Sequence, residues 1–197
     1  MKKLMNLLGT VTLAMAIASP AFGGRGGTNQ GAAGGQGNGG VQAPTGVDLS
    51  WCGGRTNCVL VSLSSTPGRK GKLKLYSLNS AGTAYNTTLS DCDAIGGLDS
   101  HPDGQRAKKT PAGVHSVIDT EDNLFYNGHY LNSVHNPTYF KSFRPWSSNR
   151  MAIHSGVDTM GGNSHGCVRT TSSCASTVRR KADSDGYSQM KIKIVYF

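Results

Sequence analysis

Two short sequence blocks near the C-terminus bring together residue types that can transfer an acyl group. They are Met151-Ala-Ile-His-Ser-Gly156 and Gly161-Gly-Asn-Ser-His-Gly-Cys-Val-Arg169. A thiol attacks an acyl carbon as its thiolate, and a neighbouring imidazole can take the proton or stabilise the charge. Cys167 is therefore a candidate nucleophile, with His154 and His165 as candidate bases.

His154 is the better candidate base of the two histidines. It follows an apolar run that predicts a strand ending at the imidazole, and a strand is a rigid element that can aim a side chain. Gly166 leaves room beside Cys167 for a substrate carbonyl, and a helix starting soon afterwards would direct free N–H groups and positive dipole towards the sulfur. Such N–H groups can form an oxyanion hole.

A zinc site built from His154, His165 and Cys167 is an alternative use of the same side chains. The Cys-x-x-Cys or His-x-x-x-His spacing that is typical of zinc sites is missing, so zinc binding is disfavoured.

The elements that would position these residues are mostly strands. Alternation of apolar and polar residues predicts strands over 72–78, 113–118 and 191–197. Turn signals such as Asn127-Gly128 lie between the apolar segments. One helix is predicted, over about 172–182, just after Cys167. The predicted fold class is mainly β, a many-stranded sheet or barrel with a short helix after the candidate nucleophile.

The N-terminal residues predict export. Residues 1–22 combine a basic start, an apolar stretch from Leu4 to Ile17 and small residues before a Gly-rich run, which is typical of a signal peptide. The apolar stretch is shorter than the roughly 20 residues needed to span a bilayer. Residues 23–46 predict a Gly-rich flexible linker, and residues 47–197 predict one globular domain. We expect a periplasmic or extracellular protein without stable membrane insertion after cleavage.

The chain is basic, with 20 Lys and Arg against 11 Asp and Glu and a formal net charge of +9. Cleavage of the signal peptide removes Lys2 and Lys3 and no acid, which lowers the charge to +7. Outside the cytoplasm such a surface would attract cell-wall glycopeptide, teichoic acid or lipid headgroups, although a soluble protein with an ordinary positive charge fits the composition at least as well. No dense basic helix or aromatic-interleaved basic run indicates nucleic-acid binding. The oligomeric state stays open.

The two blocks resemble the signature of the L,D-transpeptidase catalytic domain family. That signature is a His followed after a short gap by Ser/Thr-His-Gly-Cys, matched here by Ile153-His-Ser-Gly156 and Ser164-His-Gly-Cys-Val-Arg169. Weaker parallels are the turn Lys109-Thr-Pro-Ala-Gly113 and the Pro-aromatic segment Pro137-Thr-Tyr-Phe140. The resemblance covers roughly residues 73–180 and implies an L,D-transpeptidase-like β-sandwich or barrel.

The resemblance also implies residue roles. Cys167 would attack the donor peptide, His154 would activate the thiol, and the backbone carbonyl of Ser155 would orient the imidazole. The oxyanion and substrate site would be lined by Ser164, His165, Gly166 and Arg169. Arg169 could pair with a substrate carboxylate or brace the loop, and bracing is slightly favoured. No cofactor and no metal are expected.

The implied activity is that of a transferase in cell-wall biogenesis. It would form an acyl-enzyme with a peptidoglycan stem peptide and pass the acyl group to an amine. An L,D-carboxypeptidase that hydrolyses stem peptides and a catalytically silent peptidoglycan-binding domain stay open as alternatives. A sortase-like enzyme is disfavoured because the Thr-Leu-x-Thr-Cys pattern is absent.

Two features depart from the family pattern. Only nine residues separate His154 from Ser164, which predicts a tight loop there. Residues 47–71, with two cysteines, have no counterpart in the resemblance.

The five cysteines fit one reactive thiol, because an odd number in an exported protein leaves one unpaired. Cys52, Cys58, Cys92 and Cys174 could form two bridges in three connectivities, of which we favour Cys52 with Cys58 and Cys92 with Cys174. A bridge between Cys167 and Cys174 is the competing arrangement and would silence an enzyme. The surroundings expected of Cys167 stabilise a thiolate and so argue against that bridge.

Overall fold

The structure, a computed structural model, describes residues 43–98, 109–126, 129–142, 150–156 and 164–197. The predicted signal peptide and most of the predicted linker lie outside the described residues. The turn signal at Asn127-Gly128 and most of the predicted tight loop after His154 also lie outside them.

The ten strands that the described residues contain form one sheet. Their bounds are β1 (Asn57–Leu63), β2 (Gly71–Leu78), β3 (Tyr85–Ile95), β4 (Gly113–Ser116), β5 (Asp119–Thr120), β6 (Asn123–Tyr126), β7 (His129–Ser142), β8 (Arg150–Gly156), β9 (Val168–Thr170) and β10 (Met190–Tyr196). The order is β4-β10-β1-β2-β3-β9-β8-β7-β5, and β6 pairs with β7. The β1–β10 and β8–β9 pairs are parallel, and the other pairs are antiparallel.

The sheet is curled. The rings of His115 on β4 and Phe140 on β7 lie 5.4 Å apart, although these strands are close to opposite ends of the strand order. A sheet whose ends approach in this way has a concave face and a convex face. The mainly β fold class is confirmed.

One α-helix is present in the described residues, α1 (Ser172–Asp185), and it runs three residues beyond its predicted end. Its buried positions recur at helical spacing, as Cys174, Val178 and Ala182, with Ala175 beside them. They pack onto the sheet in the main core, so α1 lies against one face of the sheet.

Alternating residues of the strands supply the sheet side of this core. Val59 and Val61 of β1, Leu73 and Leu75 of β2, and Ile192 and Ile194 of β10 all belong to it. Because successive side chains on a strand point to opposite faces, the residues between them lie on the other face. The lysines that alternate with these apolar residues are therefore on the face away from α1.

Strand β8 is buried on both faces. Met151 and Ile153 belong to the main core, whereas Ala152 between them packs with Tyr139 and Leu124 in a separate cluster. Leu124 and its neighbours belong to the β6–β7 hairpin, which thus covers the outer face of β8. His154 shares the outer face of β8 with Ala152, so this cover is consistent with its burial.

The residues before β1 form a small cluster of their own around the bridge between Cys52 and Cys58. Leu49, Tyr76 and Tyr85 are buried in this cluster. Ala43 packs against it, so the packed structure includes the last residues of the predicted linker. Within the described part of the chain, no helix is long and apolar enough to cross a membrane.

Candidate active site

The pairing of β8 with β9 brings the candidate nucleophile and base to one face of the sheet. In this parallel pair, Ile153 is opposite Val168 and His154 is opposite Arg169. Ile153 and Val168 belong to the main core, so His154, Arg169 and Cys167 lie on the other face. The backbone N–H of Ala152 donates to Sγ of Cys167 at 3.4 Å, which fixes the sulfur two residues along β8 from His154.

The hydrogen bonding of His154 defines which of its nitrogens can act as a base. Nδ1 lies 3.0 Å from the backbone carbonyl of Ser155, and a carbonyl can only accept, so Nδ1 carries the proton. The lone pair of the neutral ring is therefore on Nε2. The side chain is 5% exposed and stands within β8, which continues to Gly156; the prediction that the strand ends at His154 is wrong. An imidazole in the interior of a paired strand has less conformational freedom than one at the end of a strand.

Ser155 is hydrogen-bonded to the neighbouring strand β7. Its hydroxyl donates to the carbonyl of His135 at 3.2 Å, next to an irregularity in the β7–β8 pairing. In that irregularity, Asn136 has a φ of 55°, the left-handed region, and its side-chain oxygen accepts from Arg179 of α1 at 3.4 Å. The helix therefore contacts the irregular part of β7, next to the His135 carbonyl that accepts the hydrogen bond of Ser155.

Burial sets the protonation states of the pair. It lowers the pKa of His154 to about 4, an effect that the positive charge of Arg169 reinforces and the Ser155 hydrogen bond opposes. Burial raises the pKa of Cys167 to about 11, and the Ala152 N–H and Arg169 only partly offset it. Both groups are therefore neutral near pH 7. The expectation that the surroundings favour a thiolate is wrong for the free protein, because loss of hydration outweighs the nearby positive charge.

The helix does not supply the positive potential expected at the sulfur. Strand β9 lies between Cys167 and the start of α1 at Ser172, and three extended residues span about 10 Å. A helix dipole acts over its first turn, so α1 begins too far along the chain for its N-terminus to adjoin the thiol. Arg169, on the same face as Cys167, provides the positive charge instead.

Thr110, which is not among the predicted site residues, holds the backbone at Cys167. The hydroxyl of Thr110 accepts the N–H of Gly97 at 2.7 Å and donates to the carbonyl of Cys167 at 3.5 Å. Thr110 is fully buried, and its own carbonyl accepts from the hydroxyl of Tyr196 at 2.8 Å. In the sequence, Thr110 belongs to the turn at residues 109–113, which resembles a turn of the family but does not identify Thr110 as a site residue. Nothing in the sequence marks Tyr196.

The remaining predicted site residues lie in the segment leading to Cys167. Ser164 is buried and donates its N–H to the carbonyl of Gly96 at 3.2 Å, whereas His165 is exposed. Gly166 has a φ of 123°, a backbone conformation that side chains with a Cβ rarely adopt. The backbone conformation therefore favours a glycine here.

The cysteines pair as favoured from the sequence. Bridges join Cys52 to Cys58 and Cys92 to Cys174, and Cys167 is free.

Among the described residues, no group of three His, Cys, Asp or Glu side chains is arranged to hold a metal ion. The site thus combines the free thiol of Cys167, directly before β9, with the imidazole of His154 on β8 and the guanidinium of Arg169 on β9.

No protein-family model matches the chain, and no curated protein matches it. Solved structures similar to it include an L,D-transpeptidase from Xylanimonas cellulosilytica, with 19% identity, a TM-score of 0.40 and coverage of 69% of this chain and 59% of that one. Another is an L,D-transpeptidase from Mycobacterium smegmatis, with 16% identity, a TM-score of 0.42 and coverage of 69% and 58%. The chain thus spans about three fifths of the length of these structures.

Proposed function

We propose that the protein is an L,D-transpeptidase in which Cys167 is acylated by a peptidoglycan stem peptide and transfers the acyl group to an amine. The observation that carries the proposal is the fixed tautomer of His154. Its Nδ1–H is bound to the Ser155 carbonyl, so a basic Nε2 remains on the sheet face that carries the free thiol of Cys167. The motif Ser164-His-Gly-Cys167 supports the substrate assignment by resemblance.

In the first half-reaction, Sγ of Cys167 attacks the donor carbonyl while Nε2 of His154 accepts the thiol proton. The thiol pKa lies near 11 and the imidazole pKa near 4, so proton transfer must accompany attack and not precede it. The tetrahedral oxyanion collapses, the leaving amine takes the proton from His154, and a thioester remains on Cys167. Arg169 favours the charge that develops on sulfur.

In the second half-reaction, the acceptor amine attacks the thioester and gives its proton to His154. The sulfur leaves and regains that proton, which restores the starting state. Backbone N–H groups of the segment His165 to Cys167 would bind the oxyanion, because Gly166 leaves no side chain between them and the substrate. Ser155 acts through its carbonyl by holding the imidazole.

Covalent labelling by a carbapenem tests the nucleophile, because members of the resembling family accept carbapenems as acyl-donor mimics. Intact-mass measurement should show one adduct on the wild type and none on Cys167→Ala. His154→Ala should slow acylation by several orders of magnitude, whereas His165→Ala should act more mildly. Circular dichroism of each variant controls for folding. Labelling of Cys167→Ala, or equal small effects of the two histidine variants, would overturn the assigned roles.

A muropeptide assay decides what happens to the acyl-enzyme. Incubation with purified tetrapeptide muropeptides should give cross-linked dimers if an amine is the acceptor. Tripeptides without dimers would instead identify water as the acceptor and the protein as an L,D-carboxypeptidase. Absence of both products, together with carbapenem labelling, would indicate that the natural donor is a different acyl compound.

A further inference from the structure

A groove lined by none of the candidate active-site residues lies on the face of β10, β1 and β2 that points away from α1. It has a volume of about 260 Å³ and is here called the outer groove. Its floor includes Leu60 of β1, which is paired with Lys74 of β2 on one side and Lys193 of β10 on the other. Trp51 and Val47, from the segment before β1, form one wall. Five of the eleven lining residues, among them Trp51 and Leu60, belong to residues 47–71, for which the family resemblance offers no counterpart.

The indole ring of Trp51 is held in place before any ligand arrives. Its Nε1–H donates to the carbonyl of Asp48 at 2.8 Å, and the side chain of Asp48 accepts the N–H of Ser50 at 2.9 Å. The next residue, Cys52, is fully buried and bridged to Cys58. This bridge closes a loop with a sequence separation of only six, so it shapes the turn that presents Trp51 and joins no distant parts of the chain.

The outer groove combines an apolar floor with positive charge. Lys74 and Lys193 flank Leu60, with Cα atoms about 10 Å apart across two strand spacings. Nζ of Lys193 lies 5.7 Å from the centre of the Trp51 ring. Lys72 also lines the groove, but its ammonium is paired with Asp93 at 2.8 Å. Among the residues that line the groove, Asp48 is the one acid.

We propose that the outer groove binds a carboxylate-bearing sugar polymer, with the apolar face of a sugar ring against Trp51 and Leu60 and carboxylates at Lys74 and Lys193. A ligand that fits must offer flat apolar surface and separate negative charges together. A phosphodiester chain offers charge and hydration without a flat apolar face, so it would use the lysines and leave the indole unused. An open groove across three strands also suits a chain that enters and leaves at its two ends.

The outer groove and the candidate active site share one face of the sheet. The core-facing residues of β1 and β2 and of β8 and β9 all belong to the cluster under α1, so the groove lysines, His154 and Cys167 all lie on the opposite face. Four strand spacings separate β1 from β8 along the sheet, about 19 Å. Because the sheet is curled, the shared face does not place the two sites on one side of the protein, and binding in the outer groove does not depend on the thiol chemistry.

Titration calorimetry with the full chain at low ionic strength tests the proposal. The probe is polygalacturonate, with dextran as the neutral sugar polymer and polyphosphate as the sugar-free polyanion. The double variant Lys74→Gln/Lys193→Gln should bind polygalacturonate at least about tenfold more weakly, which corresponds to about 1.4 kcal/mol. The matched control is Arg180→Gln/Lys181→Gln on α1, which removes the same charge away from the groove and should bind as the wild type does.

Trp51→Leu separates sugar recognition from attraction between charges. It keeps every lysine and should weaken binding of polygalacturonate while leaving polyphosphate binding unchanged. Intact mass, which reports the Cys52–Cys58 bridge, and circular dichroism show whether the variants fold. Carbapenem labelling of Cys167 should stay at the wild-type rate, so a failure of the proposed acyl transfer would be seen separately. Equal weakening by the groove and helix variants, or insensitivity of polygalacturonate binding to Trp51→Leu, would overturn the proposal.

Discussion

At the scale of single residues, Cys167 and His154 are both uncharged near neutral pH. Burial disfavours the charged form of each, and the guanidinium of Arg169 acts on them in opposite senses, since it favours the thiolate and disfavours the imidazolium. A preformed thiolate–imidazolium pair would need both of these charges in a poorly hydrated site. In the proposed mechanism, the neutral pair would form the thiolate only as an acyl carbon is attacked.

Alkylation of Cys167 should report this neutral state directly. The rate of modification by iodoacetamide should rise about tenfold per pH unit from pH 6 to 9, because the thiolate fraction is small and grows with pH below a pKa near 11. Stopped aliquots analysed by intact mass give the rate at each pH. Cys167→Ala, in which the other cysteines are bridged, should remain unmodified throughout. A plateau already reached near neutral pH would instead reveal a preformed thiolate.

Thr110 should matter for acylation although it does not touch the substrate in the proposed mechanism. Thr110→Val keeps the shape but removes the hydroxyl that accepts from Gly97 and donates to the Cys167 carbonyl. The buried N–H of Gly97 then lacks this acceptor, at a cost of about 1 to 3 kcal/mol in unfolding free energy. We expect the carbapenem acylation rate to fall more than about tenfold, since the backbone at Cys167 loses its brace.

Thr177→Val on α1 is the control for Thr110→Val. Its hydroxyl donates to the carbonyl of Ser173 near solvent, and the variant should change the unfolding free energy by less than about 0.5 kcal/mol. If Thr110→Val is destabilised but acylates at the wild-type rate, Thr110 supports the fold and does not position Cys167.

At the scale of elements, the short strand β9 depends on its neighbours. It has three residues, pairs with β3 on one side and β8 on the other, and leads within two residues into α1. The Cys92–Cys174 bridge links β3 to the first turn of α1 across this connection. Cys167 lies directly before β9, so its position depends on the pairing of β9 with β3 and β8 and on the bridge between β3 and α1.

Removal of the two bridges should have unequal effects. In the chain-entropy model, a bridge with a sequence separation of 82 stabilises by about 4 kcal/mol and one with a separation of six by about 2 kcal/mol. Denaturant unfolding of Cys92→Ser/Cys174→Ser and Cys52→Ser/Cys58→Ser gives both values. We also expect slower carbapenem acylation in the first variant alone, because only that bridge adjoins β9. Equal losses of stability and unchanged acylation would contradict this account.

At the scale of the whole molecule, the sequence contained the local signals of the fold. Alternation of lysines with apolar residues predicted β2 and β10, and helical spacing of Cys174 and Val178 predicted α1. These signals are readable because each element buries one face against a single core. The resemblance of their two motifs to a family signature implies that His154 and Cys167 act together, but no local pattern predicts the sheet face that they share.

Features that depend on distant segments could not be read from the sequence. The order that places β9 between β3 and β8 brings Thr110 to the carbonyl of Cys167, across 57 positions of sequence. The β6–β7 hairpin packs on the outer face of β8, the face that carries His154, and burial at this site disfavours the thiolate expected at Cys167. The outer groove likewise needs three strands in register and a disulfide-bonded turn.

The same burial couples the stability of the whole molecule to pH. The pKa of His154 is about 4 in the folded protein against 6.5 for an ordinary histidine, so between these values the unfolded chain binds a proton that the folded protein does not. The unfolding free energy should therefore decrease as the pH falls from about 7 to 4.5, and His154 should contribute about 2 to 3 kcal/mol of that decrease. Below pH 4 both states are protonated and this contribution stops changing.

Denaturant unfolding of the wild type and His154→Gln at pH 7 and pH 4.5 isolates the contribution of this one side chain. Carboxylates and other histidines titrate in both proteins, so they cancel when the pH-dependent loss of the variant is subtracted from that of the wild type. His154→Gln should lose about 2 to 3 kcal/mol less than the wild type does on acidification. An equal loss in both proteins would mean that His154 takes up its proton as readily in the folded protein as in the unfolded chain, which would contradict the lowering of its pKa by burial.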